Sequence, residues 1–196
     1  MTTGAAHLAR LRSALVEFDQ QVPIVEAWGH ELADRLGAGA RLLAAGNGGS
    51  AAQAQHLTAE LVGRYCDERR PLSAIALHAE TSSLTAIAND YGADEMFARQ
   101  VSAHGRPGDV CLLLSTSGSS GNVVRAAERA REAGLTVWAL TGPAPNELAA
   151  EAHEAVCVTG EDCAAVQEVH LVGLHIMCEA LDAALLRSRP AFEVVG

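Results

Sequence analysis

Apolar residues recur every three or four positions at the start of the chain, at Leu8, Leu11, Leu15, Phe18 and Val22. This is the spacing of one helix face. Pro23 breaks or kinks the run, and "IVEAWGHELADRL" resumes the same period after it. The pattern predicts two helices, or one bent helix, from Ala6 to about Leu36. Such an amphipathic arm must pack on something, and a partner subunit is the expected cover.

From there short apolar runs alternate with helical periodicity. "RLLAAG" predicts a first strand, followed by a helix from Ser50 to about Arg64. "SAIAL" (Ser73–Leu77) predicts a second, followed by helical segments around Ser82–Ala88 and Asp94–Ala103. "DVCLLLS" (Asp109–Ser115) leads to a helix from about Ser120 to Ala133, and "LTVWAL" (Leu135–Leu140) to a short helix near Glu147. "AVCV" (Ala155–Val158) precedes a long final helix from Glu161 to about Leu186. Strands apolar on both faces, alternating with helices, indicate a parallel sheet covered on two sides. The predicted fold is a doubly wound α/β layer of five parallel strands with an N-terminal helical arm. No internal repeat or linker divides the 196 residues, so they read as a single domain with an arm at 1–37 and an α/β core at 38–188. The tail "RSRPAFEVVG" is expected to be loosely held.

Composition narrows the function. A formal charge of −10 argues against nucleic-acid or anionic-membrane partners. No signal-like segment or spanning apolar run is read, so a cytoplasmic location is expected. The five cysteines (Cys66, Cys111, Cys157, Cys163, Cys178) form no CxxC pair and read as buried thiols in a reducing compartment.

Two turns at predicted strand ends share a composition: "GNGGS", containing Asn47, Gly48, Gly49 and Ser50, and "STSGSSGN" (Ser115–Asn122). Glycines permit close backbone approach. Hydroxyls and free helix-start N–H groups supply donors, a combination that suits a phosphate. A plain N-cap is the simpler alternative. Neither turn matches a P-loop or a dinucleotide fingerprint, which points to a phosphorylated small molecule and away from ATP or NAD.

His56 and Glu60 stand at i, i+4 on the helix after the first turn. They read as a general base, a metal-ligand pair, or an exposed histidine beside a solvated glutamate. In the final helix, Gln167 and His175 are eight residues apart, about 12 Å of rise and about 80° around the axis. A metal would bridge them only near the limit of their reach, whereas proton transfer by His175 alone asks less. His170 falls on the other flank as a structural residue. His78, His104 and His153 read as surface or core.

"GNGGSAAQAQHLTAELVGRY", "AIAND", "STSGSSGNV" and "VQEVHLVGLH" resemble, in order and spacing, the sugar isomerase (SIS) family, and within it the sedoheptulose 7-phosphate isomerases, from about Ala6 to Leu186. The resemblance implies a flavodoxin-like sheet, a homotetramer with active sites at subunit interfaces, and an arm that builds the tetramer core. It also implies conversion of sedoheptulose 7-phosphate to D-glycero-D-manno-heptose 7-phosphate.

Position by position, it implies phosphate binding by Ser115, Thr116, Ser117 and Ser120, and sugar or loop contacts by Asn47 and Ser50. Glu60 and His175 match the acid/base pair. His56, Glu60, Gln167 and His175 match the ligands of a zinc ion, one per subunit. Arg64 and Asp90 match substrate contacts. Ala164 and Ala165 depart from the aspartate and arginine common before Gln167, with Asp162 nearby, and "TGPAPNELA" replaces a glycine-rich loop. Two other readings remain: a non-enzymatic tetrameric regulator of the same fold that binds the replication initiator, and an isomerase of another sugar phosphate.

Overall fold

The computed structural model describes residues 2–187. Nearly all of the tail expected to be loose lies outside the described residues. Helix α1 (Thr3–Phe18) runs through a 3-10 turn (Asp19–Gln21) into α2 (Val22–Gly37). The break therefore precedes Pro23, which sits in the first turn of α2, where its missing N–H costs nothing.

Strand β1 (Leu42–Gly46) leads to α3 (Gly49–Val62), and β2 (Ala74–Ala76) leads to α4 (Thr81–Tyr91) and α5 (Glu95–His104). Next come β3 (Val110–Ser115), α6 (Gly121–Glu132), β4 (Thr136–Thr141), α7 (Glu147–Glu151), β5 (Glu154–Cys157) and α8 (Cys163–Arg187). All five strands pair in parallel, in the order β2-β1-β3-β4-β5. The predicted elements are all present, with ends moved by a few residues. Gly63, for example, stops α3 short of Arg64.

β1 and β3 are buried along their whole length because helices cover both faces of the sheet. One core lies between the sheet and α1, α2, α3 and α8. The other lies under α5, α6 and α7. The arm packs largely on its own chain. Trp28 of α2 stacks on Trp138 of β4 with centroids 5.0 Å apart, and its indole N–H donates to Glu154 Oε2 at 2.6 Å. A partner is thus not needed to cover α2, although Leu8 and Val16 of α1 remain exposed.

By composition α8 is long and apolar enough to cross a membrane, but half of its apolar window is buried, as in a core helix. Of the cysteines, all free, only Cys111 and Cys178 are buried. The expectation of buried thiols fails for Cys66, in the loop after α3, and for Cys163, which opens α8 at the rim of a cavity.

Candidate active site

The strand order reverses between β1 and β3, and in such sheets ligands collect beyond the carboxyl ends of the strands at that switch point. Both Ser/Gly turns emerge there. Asn47, Ser50, Leu114, Ser115, Thr116, Ser117, Ser120, Cys163 and Gln167 enclose a cavity of about 170 Å³. That is smaller than the roughly 300–1,000 Å³ of a drug-sized site and suits a head group such as phosphate. Among the described residues no lysine or arginine lines it, so its donors are hydroxyls, amides and helix starts.

Each wall has a local cause. Gly48 caps α3 at φ +54°, a conformation that favours glycine. A Cβ on Gly49 would collide with the Gln167 amide, so this glycine lets α8 close over the turn. Ser115 Oγ lies 3.3 Å from both Ser117 Oγ and Ser120 Oγ, and it accepts from Gly118 N–H at 3.1 Å. The two turns are tied by reciprocal amide bonds, Asn47 Nδ2 to Asn122 Oδ1 at 2.9 Å and Asn122 Nδ2 to Asn47 Oδ1 at 3.0 Å. The thiol of Cys163 contacts Thr116 Oγ1 at 3.2 Å. Gln53 Nε2 donates to the Gln167 carbonyl at 2.6 Å, fixing α3 against α8. Gln53 and Cys163 carry no local motif, and only the approach of α8 gives them a role.

Farther along the same two helices the ionisable side chains meet. His56 Nε2 lies 3.0 Å from His175 Nε2 and 3.5 Å from Glu60 Oε1. The Tyr65 ring tilts against the His175 ring at 5.7 Å, and its hydroxyl donates to Glu179 Oε1 at 3.3 Å. Burial pushes the Tyr65 hydroxyl up to about 12, with the Glu179 carboxylate adding to the shift.

Two imidazole nitrogens and a carboxylate oxygen form a donor set that zinc accepts with an open fourth position. In donor chemistry these residues fit zinc. The described residues do not assemble three such donors into a closed set, however, and His56 is common to both contacts. The side chain of Gln167 lies on the cavity wall against Gly49.

Other predicted positions stand apart. Arg64 is exposed beyond α3, its guanidinium donating to the Cys66 carbonyl at 2.8 Å. Asp90, on α4, accepts from the Asn89 amide at 2.8 Å. Neither lines the cavity. His170 is buried, its Nε2 donating to the Thr141 carbonyl at 3.0 Å, and burial lowers its pKa to about 4. His153 Nδ1 accepts from Val137 N–H at 2.9 Å beside β4. Asp162 does not line the cavity: its carboxylate caps α8 through Ala165 N–H and pairs with Arg10 at 2.6 Å.

The SIS domain profile matches residues 6–142. The chain is 61% identical over 190 residues to the phosphoheptose isomerase of Streptomyces coelicolor, covering 97% of this chain and 82% of that protein. It is 45% identical over 181 residues to that of Thiobacillus denitrificans, covering 91% and 92% of the two chains. Among solved structures it matches the phosphoheptose isomerase of Neisseria gonorrhoeae with a TM-score of 0.84 at 39% identity, over 91% of this chain and 96% of that one. It matches that of Francisella tularensis with a TM-score of 0.87 at 32% identity, over 93% and 100%.

Proposed function

The chain belongs to the SIS domain family, and on that footing we propose that it converts sedoheptulose 7-phosphate to D-glycero-D-manno-heptose 7-phosphate as an aldose–ketose isomerase. The observation that carries the reading is the pairing, on α3 and α8, of a phosphate-sized cavity with an adjoining His56–Glu60–His175 cluster.

The phosphate sits among Ser115, Thr116, Ser117, Ser120 and the start of α6, held by hydroxyls and N–H groups against the acidic field of the chain. Asn47, Ser50 and the Gly48–Gly49 backbone hold the near end of the sugar. The carbonyl end then runs toward His56 and His175. The Glu60 carboxylate removes a proton from C1 while His175 delivers a proton to the C2 oxygen, giving the enediol. Glu60 returns the proton to C2 as the C1 hydroxyl gives its proton to His175 and becomes the aldehyde. Atoms and charge balance with no redox partner.

His56, Glu60 and His175, with Gln167 as fourth donor, would hold one zinc ion per subunit. When bound, the metal supplies Lewis-acid polarisation of the carbonyl. Arg64 and Asp90 complete the sugar site of a neighbouring copy in a homotetramer. The absence of any buried side chain on α4 supports this assignment, as does the exposure of Leu8 and Val16 on α1. The location is cytoplasmic. The regulator reading is not favoured, because a scaffold has no chemical use for the Glu60–His56–His175 contact.

The test is aldose formation from sedoheptulose 7-phosphate with added zinc and with a chelator, alongside the mass in solution. Zinc-dependent turnover by a tetramer is the expected result. Chelator-resistant turnover would leave Glu60 and His175 as acid and base and remove the metal. A folded protein without turnover in either condition would overturn the isomerase reading for this sugar.

A further inference from the structure

Arg69 lies beyond α3 in an irregular stretch, yet it is buried. Its Nε donates to Asp182 Oδ1 at 2.8 Å. Nη1 donates to the carbonyls of Leu61 at 2.9 Å and Arg70 at 3.2 Å. Nη2 donates to the carbonyl of Glu60 at 2.6 Å. Glu60 and Leu61 belong to the last turn of α3, where carbonyls lack partners within the helix. Asp182 stands seven residues after His175, two turns along α8 on the same face. One planar guanidinium therefore joins the backbone of Glu60 to the helix that carries His175.

The side chains of Arg69 and Asp182 are 4% and 6% exposed, and Asp182 Oδ2 has no hydrogen-bond partner among the described residues. A buried ion pair is seldom more stabilising than apolar residues of the same volume, and an orphaned oxygen costs further. Stability alone thus accounts poorly for this charge pair, whereas a rigid tie between two reacting groups accounts for it well. We propose that Arg69 and Asp182 are positioning residues that set the Glu60 carboxylate against the His175 imidazole; the proposal rests on the acid/base reading above.

The test compares wild type with Arg69→Lys and with the double variant Arg69→Met/Asp182→Leu. It measures kcat, KM, Tm and inhibition by inorganic phosphate, which reports the cavity at the far end of α3. The apolar pair removes the charge pair but also takes the guanidinium from the Glu60, Leu61 and Arg70 carbonyls, so its Tm is expected to fall while the chain stays folded. It should keep phosphate inhibition within about twofold and lower kcat about 30-fold or more, as expected for a misplacement on the order of 1 Å. Arg69→Lys keeps the charge without the fork and is expected to lower kcat about tenfold at unchanged KM. It decides the matter if the double variant does not fold.

A folded variant with kcat within about twofold of wild type overturns the proposal. A folded wild type without turnover overturns the isomerase reading instead. Zinc affinity by chelator competition then decides the positioning role: about tenfold weaker binding in the variants supports it, and equal affinity overturns it.

Discussion

His56 Nε2 and His175 Nε2 lie 3.0 Å apart although 119 positions separate them in the chain. At that distance an N–H of one ring donates to the bare nitrogen of the other, so the proton position on one ring fixes the role of the other. Glu60 Oε1, 3.5 Å from His56 Nε2, completes the cluster. Glu60→Gln keeps the shape but removes the carboxylate proposed as the base. It is expected to lower kcat by about 10³-fold, within the range of general-base catalysis, with little change in the thermal melt. Turnover near the wild-type rate, followed by aldose formation, would place the base elsewhere.

Gly49→Ala should act on binding. The added methyl meets the Gln167 amide, the end of a flexible side chain, and Gly49 has no positive φ. The expected result is a displaced Gln167 and a KM raised about tenfold, the equivalent of about 1.4 kcal/mol, at nearly unchanged Tm. A large fall in Tm with KM intact would show Gly49 to be a folding residue only.

Ser120→Ala removes one hydroxyl from the turn in which Ser115 Oγ lies 3.3 Å from its own oxygen. A lost hydrogen bond to a charged group is worth about 1.5–3 kcal/mol. KM for the sugar phosphate and the inhibition constant of inorganic phosphate should therefore rise together. A change in one alone would detach this hydroxyl from the phosphate.

Trp28 tests how far the arm belongs to the core. It stacks on Trp138 and donates to Glu154. Trp28→Ala is expected to cost about 3–5 kcal/mol, measured by denaturant unfolding of the full chain. A loss below about 1 kcal/mol would mean that the arm docks only loosely.

His170 sets a pH dependence. Burial holds its folded pKa near 4, below its ordinary 6.5, so the unfolded chain binds the proton first. Its contribution is complete above pH 6.5 and falls as the pH drops toward 4, by an amount on the order of 3 kcal/mol. Burial also lowers His78 and acts in the same direction. His170→Gln should be less stable at neutral pH and show a flatter stability profile between pH 6.5 and 4. An unchanged slope would assign the acid sensitivity to other groups.

The order of strands and helices, the two Ser/Gly turns and the His56–Glu60 pair were legible in the sequence, because each is written within a few turns of chain. Apolar runs mark β1 and β3, and glycine and serine mark the turns at their carboxyl ends. The i, i+4 spacing puts His56 and Glu60 on one face without reference to anything else. Where an element stops was less legible: hydrogen bonding ends α3 at Val62 and begins α2 ahead of Pro23.

Tertiary structure alone decided that β1 and β3 are neighbours, so that the two turns share one cavity with Cys163 and Gln167. It also decided that the arm buries Trp28 in its own chain, and that Arg69 reaches both Glu60 and Asp182. The reason is physical. Local propensity and periodicity act over a few residues, whereas these contacts arise from the pairing of β1 with β3 and from the packing of α2, α3 and α8 against one sheet face, which bring together parts of the chain far apart in sequence.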